Sequence, residues 1–286
     1  MIIFMPTNAG FEYQRLEKEY PSARTFLEKI AILQKMLEVG PKHKGAEKLR
    51  NDIKKKIAKY KGLLDREKRL SKGGNRGGLS IKKEGAARIV LIGATNTGKS
   101  TLLSRITNAK PEIAEYEHTT RKPEIATMDY HGVMLQVIEM PAITKDYLEK
   151  EKGPAYLGVV RDSDLIVIVS RSRDDIKLIK EELEEAGIPF NGIIVNSMDN
   201  NVKERIWNKL GLIYVYTKSP GKNKDYPPIA LNKKANVRDL ALNVHKDFVR
   251  RFDYARVWGK SARFSGQRVG LNHILQEEDV IELHLK

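Results

Sequence analysis

The 286-residue sequence contains no cysteine. That excludes disulfide scaffolds, zinc-thiolate sites, iron–sulfur clusters and cysteine nucleophiles, and it suits a cytoplasmic protein. Long hydrophobic runs are also lacking: the longest, Leu165 to Val169, is far too short to cross a bilayer, so no membrane partner is expected. Met1-Ile2-Ile3-Phe4-Met5 is apolar for five residues before Pro6, with no basic flank and no cleavage pattern, so a signal peptide is not expected. Acidic residues are scarce relative to basic ones, 37 against 52. Hydrophobic residues at 41% and charged residues at 31% describe a globular chain rather than a disordered one.

The basic excess is unevenly distributed. Residues 41–76 hold 14 Lys/Arg against 4 Asp/Glu, and residues 212–286 hold 14 against 8. Residues 1–40 balance at 5 against 5, and residues 77–211 hold 19 against 20. A neutral centre with basic flanks suggests flanking modules that face a polyanion, the alternative being solvated basic faces.

Four parts follow from pattern and composition. Residues 1–70 form a basic helical region. Within it Thr25 and Glu28 are spaced as a capping box before a helix over 25–39 carrying Phe26, Ile30, Leu33 and Leu37, and Gly40-Pro41 stops that helix. A second helix over 45–68, striped by Ala46, Leu49, Ile53, Ile57, Tyr60 and Leu64, completes a hairpin. Residues 71–86 are a linker centred on Ser71-Lys72-Gly73-Gly74-Asn75-Arg76-Gly77-Gly78. Residues 87–211 alternate short apolar runs (89–92, 134–138, 165–169, 193–195) with helices near 99–108, 174–187 and 201–210, which predicts an α/β unit with a mostly parallel sheet. Residues 212–286 read as a small α+β module with one helix near 236–251 and short strands ending at 280–285.

Chemistry is concentrated in Gly93-Ala94-Thr95-Asn96-Thr97-Gly98-Lys99-Ser100, followed by Thr101. The spacing G-x-x-x-x-G-K-S allows backbone N–H groups to curl around phosphates, a lysine to reach the β- and γ-phosphates, and a hydroxyl to ligate magnesium. A strand runs into the loop and a helix leaves it, so the helix N-terminus points at the phosphates.

The order of elements resembles the translation-factor-related GTPases, with GTP as ligand or substrate and GDP as product. That resemblance implies a switch threonine at Thr119-Thr120, with Thr120 as the magnesium ligand and catalytic sensor beside Lys99. It implies guanine recognition by Asn196-Ser197-Met198-Asp199, where serine stands at the lysine position of N-K-x-D and Asp199 accepts from guanine N1 and N2. Glu139-Met140-Pro141-Ala142 stands where D-x-x-G is usual, with Glu139 reaching magnesium through water and Ala142 offering an N–H with less backbone freedom than glycine. Ile143 occupies the usual place of a water-orienting glutamine. Asn96 matches an asparagine that helps hold potassium in several such GTPases, and is equally a residue tolerated in a turn.

Over nearly the whole chain the sequence is similar to the DRG branch of the Obg-related GTPases. Met5-Pro6-Thr7-Asn8 resembles the start of archaeal relatives, which makes Met5 an alternative start, and Pro41-Lys42-His43-Lys44-Gly45 and Lys82-Lys83-Glu84-Gly85-Ala86-Ala87 resemble their linking segments. Tyr216-Thr217-Lys218, His245-Lys246, Tyr254-Ala255-Arg256-Val257-Trp258-Gly259, Val269-Gly270 and Glu278-Asp279-Val280-Ile281 resemble the family's TGS domain, which implies a ubiquitin-like β-grasp fold and a link to translation. The expected architecture is therefore a helical hairpin, a P-loop GTPase domain and a TGS domain, with RNA or the ribosome contacted through residues 41–76 and the TGS domain. The family's S-A-x guanine loop, last GTPase strand and small inserted domain have no counterpart. Three activities follow from this mixture: a slow magnesium-dependent GTPase of the DRG type, a pseudo-GTPase adaptor on RNA or the ribosome, and an ATPase.

Overall fold

The computed structural model describes residues 10–23, 25–72, 81–107, 112–113 and 123–286. Thr119 and Thr120, most of the glycine-rich linker, and Met5-Pro6-Thr7-Asn8 lie outside the described residues. In chain order the helices are α1 (Phe11–Glu19), α2 (Phe26–Val39), α3 (Glu47–Lys72), α4 (Lys99–Ile106), α5 (Gly153–Arg161), α6 (Arg173–Glu185), α7 (Val202–Leu210), α8 (Val237–Val244) and α9 (Lys246–Arg250). The strands are β1 (Arg88–Ile92), β2 (Glu112–Ile113), β3 (Glu124–Tyr130), β4 (Val133–Glu139), β5 (Leu165–Val169), β6 (Gly192–Val195), β7 (Leu212–Thr217), β8 (Ile229–Asn232), β9 (Phe252–Trp258), β10 (Gln267–Val269) and β11 (Val280–Leu285). Two compact units emerge: Met1–Ile81 with Ala142–Asp162 and Ser172–Asn191, and Lys82–Pro141 with Ser163–Arg171 and Gly192–Lys286.

The first unit is helical. The Thr25 hydroxyl accepts from the Glu28 N–H and the Glu28 carboxylate accepts from the Thr25 N–H, so the capping box starts α2 as expected. Ile30, Leu33 and Met36 of α2 and Ile53, Tyr60 and Leu63 of α3 are buried, while Leu37 and Leu64 of the expected stripes are only half-buried. Lys29, 3% exposed, donates from Nζ to the Glu184 and Glu185 carbonyls at 2.8 and 2.9 Å, at the negative end of α6. Lys59 pairs with Glu149 at 3.0 Å and with Glu185 at 2.5 Å. Glu182 of α6 accepts from the Asp146 and Tyr147 N–H groups at 2.8 and 2.9 Å, so the segment after Glu139-Met140-Pro141-Ala142 is fastened to the same helix.

The second unit contains two sheets. The first has the order β2-β3-β4-β1-β5-β6; β1 pairs in parallel with β4 and β5, β5 pairs in parallel with β6, and β2, β3 and β4 form antiparallel pairs. Leu102, Leu103 and Ile106 of α4 and Val202, Ile206 and Trp207 of α7 share a core with Ile89, Leu91, Leu135, Val137 and Val167. Strand β3 was not among the expected runs, because its polar alternation hides a half-buried strand in which only Ala126 and Met128 are buried. No strand of this sheet follows β6: the chain enters α7 and then the second sheet.

The second sheet, ordered β10-β9-β11-β7-β8, packs Ile213, Val215, Ala255, Val257 and Ile281 against Val237 and Leu240 of α8. One helix was expected over 236–251; there are two. His245 is extended (φ −166°, ψ 141°), and its ring Nδ1 accepts from the Asp247 N–H at 3.2 Å, which ends α8 and caps α9. The two sheets join through aromatic packing: Tyr130 stacks on Trp207 at 4.9 Å and His131 on Tyr214 at 5.1 Å. Among the described residues no helix is long and apolar enough to cross a membrane.

Burial lowers the Lys29 pKa to about 8 from 10.5, with the Glu185 and Glu184 charges opposing the shift. Below pH 8 both folded and unfolded chains hold the proton; between 8 and 10.5 the folded chain has released it and the unfolded chain has not, so folding gains stability as pH rises. The stability of the wild type minus that of Lys29→Met is expected to rise by about 1 kcal/mol per pH unit across this window. Urea denaturation near pH 8 and near pH 10 measures it, and a flat or falling difference contradicts the assignment.

Candidate nucleotide-binding site

The site begins with the complete burial of β1. All five of its residues are buried, and its two parallel neighbours hold it in the middle of the sheet. The chain therefore leaves its carboxyl end at the point where connections diverge to either side, which is where open α/β sheets bind ligands. There Gly93 lies so close to the Val169 carbonyl and the Thr97 hydroxyl that a side chain would collide with both. Gly98 caps α4 with φ +89°, a conformation L side chains rarely adopt, and a Cβ on it would stand 2.5 Å from Ser197 Oγ. Asn96 has φ 61°, a left-handed value asparagine tolerates.

A cleft of about 320 Å³ opens here, lined by Asn96, Thr97, Gly98, Lys99, Ser100, Thr101, Glu139 and Arg171. Lys99, 7% exposed, donates from Nζ to the Gly93 and Ala94 carbonyls at 3.2 and 2.9 Å. The Thr97 hydroxyl donates to the Ala94 carbonyl at 3.1 Å, which tightens the loop. The Ser100 hydroxyl donates to Glu139 Oε1 at 2.8 Å, and Glu139 Oε2 is buried without a hydrogen-bond partner. Burial raises the Glu139 pKa above its ordinary value, and the Ser100 hydrogen bond opposes the shift. A hydroxyl and a carboxylate oxygen side by side, with an unsatisfied oxygen behind them, are hard donors of the kind magnesium takes, so these residues fit the expected cation.

Asn196-Ser197-Met198-Asp199, expected from sequence to read the base, is differently engaged. Asp199 Oδ2 accepts from the Asn196 N–H at 3.0 Å and from Arg205 at 3.0 Å, and Asn196 Oδ1 accepts from the Met198 N–H at 3.0 Å. Arg105 of α4 donates to the Ser197 carbonyl and to Asn200 Oδ1, latching the segment to the loop helix. Asp199 lines a separate hollow of about 460 Å³ together with Arg105, Tyr130, His131 and Lys203. The structure thus brings Asn96 to Thr101 and Glu139 into one cleft and leaves Asn196 and Asp199 out of its lining. Ala94 is buried and Thr95 is exposed beside the cleft rather than lining it. Ile143 is 1% exposed, a core residue that presents nothing to a water. Arg171 also lines the cleft and was not expected from sequence; its signal was its place two residues beyond the end of the apolar strand β5.

Residues 88–197 match the family described as 50S ribosome-binding GTPase, and residues 213–285 match the TGS domain. The chain therefore carries a GTPase domain followed by a TGS domain. Its relatives include an uncharacterized GTP-binding protein of Methanocaldococcus jannaschii, 28% identical over 91% of this chain and 93% of the relative. Developmentally-regulated GTP-binding protein 2 of Homo sapiens is 27% identical over 90% of this chain and 98% of its own length. The homologue in Dictyostelium discoideum is 26% identical with the same coverage. The alignment with the Methanocaldococcus jannaschii protein spans 367 positions, more than the 286 residues here, so that relative carries segments with no counterpart in this chain.

Replacing Gly98 with alanine forces a strained left-handed residue against Ser197. The expected cost is at least about 2 kcal/mol of stability, with loss of triphosphate binding. Thermal unfolding and nucleotide titration measure both; an alanine variant with unchanged stability and affinity contradicts the packing described.

Proposed function

We propose that the protein binds GTP with magnesium in the cleft lined by Asn96 to Thr101 and Glu139, and hydrolyses it slowly. The observation that carries this reading is the cradle itself: a glycine-lined loop at a helix N-terminus, with Lys99 and the Ser100–Glu139 pair on one cleft. Gly93 and Gly98 supply close backbone approach, and Ala94, Thr95 and Thr97 shape the loop. Lys99 exchanges its loop carbonyls for the β- and γ-phosphates. Ser100 and Thr120 would hold magnesium, with Glu139 acting through water, and the ion would supply neutralising charge on the phosphates. Asn96 contributes to a potassium site, and Asn196 with Asp199 reads the base.

Water attacks the γ-phosphorus in line, and the β–γ bridging oxygen leaves with the bonding electrons. Lys99 offsets the charge that develops on that oxygen. Turnover is slow because Ile143 is buried and provides no group to orient the water.

A second reading, a pseudo-GTPase adaptor, is favoured by the Arg205 ion pair on Asp199, which occupies an oxygen that guanine needs. In both readings RNA or the ribosome is contacted through residues 41–76 and the TGS domain, with the GTPase domain taken as 87–211. Support comes from the charge of those segments and from one face of the second sheet. There Lys218 lies 4.0 Å over Trp258, Arg268 3.8 Å over Tyr254 and Lys224 3.8 Å over Tyr216, mixing cations with planar groups as polyanion-binding faces do.

Binding and hydrolysis of GTP and ATP with magnesium, in potassium and then sodium, test the nucleotide reading. Wild type is expected to prefer GTP, and Lys99→Ala to lose turnover and at least about tenfold in affinity. Absent turnover in either salt leaves the adaptor reading, and equal affinity for both nucleotides contradicts guanine selectivity. RNA binding is expected to weaken steeply with salt and to vanish when residues 41–76 are neutralised; salt-insensitive binding contradicts the polyanion argument.

A further inference from the structure

The guanine-recognition segment lacks its usual lysine, and the structure contains a cation that converges on the same spot from a neighbouring strand. Ser197 is 3% exposed and closes against the loop: a Cβ on Gly98 would stand 2.5 Å from Ser197 Oγ and 2.6 Å from Ser197 Cβ. Its carbonyl is latched by Arg105, so its main chain is fixed. A hydroxyl on one carbon cannot extend from there over a bound nucleotide. The next atom near that Gly98 position, after the two of Ser197, is Arg171 Nη2, at 3.9 Å.

Arg171 follows β5, the strand paired in parallel with β6, which leads into Asn196 to Asp199. Ser170 donates its N–H to the Val195 carbonyl at 3.1 Å, holding the end of β5 beside the end of β6. Positions 171 and 197 are therefore adjacent strand exits facing one glycine. The cleft lining includes Arg171 and not Ser197. Lys99 is the other basic residue in that lining, and its reach is directed to the loop carbonyls and phosphates.

Resting on the reading that a nucleotide occupies this cleft, we propose that Arg171 is a nucleotide-binding residue that takes over from the missing lysine: its guanidinium packs over the base–sugar end of the ligand. An arginine suits this position because its planar, delocalised cation stacks on a ring face and keeps its charge when partly desolvated. The long cationic side chain has moved from the exit of β6 to the exit of β5, and serine at 197 is the space that its arrival needs.

The test is titration of fluorescent GDP and GTP into wild type, Arg171→Ala, Arg171→Lys and the double variant Arg171→Ala/Ser197→Lys, with melting temperatures to confirm folding. Arg171→Ala is expected to weaken both nucleotides equally, by about fivefold to tenfold, because the contact is not with the γ-phosphate. Arg171→Lys is expected to retain most of the affinity, and the double variant to regain it. Unchanged affinity in folded Arg171→Ala overturns the assignment, as does a loss for GTP alone or a double variant no better than Arg171→Ala. Absence of nucleotide binding by wild type would instead overturn the reading beneath it, and this assignment with it.

Discussion

The burial of β1 between two parallel neighbours is the constraint on which the rest depends. A strand with no exposed residue, paired on both edges, has one exit, and that exit has no room for side chains. Val169 blocks Gly93 and Ser197 blocks Gly98, so the backbone itself lines the space where α4 begins. A ring of N–H groups at a helix N-terminus, with a buried lysine behind it, is complementary to phosphate whatever base is attached. Phosphate binding is thus a consequence of sheet topology.

The base end follows a different logic. Asp199 is drawn into a bond with its own loop and an ion pair with Arg205, and Ser197 has become a packing residue. That ion pair competes with any base for the same carboxylate oxygen, whereas the cradle is complementary to phosphate alone. The segment after Glu139, held to α6 by Glu182, belongs to the helical unit together with α2 and α3.

The legible parts of the fold were those where a residue type answers a local backbone demand. Thr25 and Glu28 predicted a helix start because two N–H groups need two acceptors three residues apart, and both bonds form. Gly93, Gly98, Lys99 and Ser100 predicted the cradle because glycine alone fits such contacts. Illegible parts depend on partners distant in sequence. Arg205 on Asp199 and Ser100 on Glu139 are set by how strand ends meet, and Arg171 acquires meaning only beside Gly98. Strand β3 escaped notice because polar residues on one face mask a two-residue period, and the break at His245 because a histidine can cap a helix as well as continue one.

The most direct test of the central claim is a crystal structure of the protein grown with GDP and magnesium. The account predicts the diphosphate in the cleft bounded by Asn96 to Thr101, with Lys99 Nζ turned from the Gly93 and Ala94 carbonyls onto the β-phosphate. A nucleotide bound elsewhere, or an occupied cleft in which Lys99 still holds both carbonyls, would contradict it.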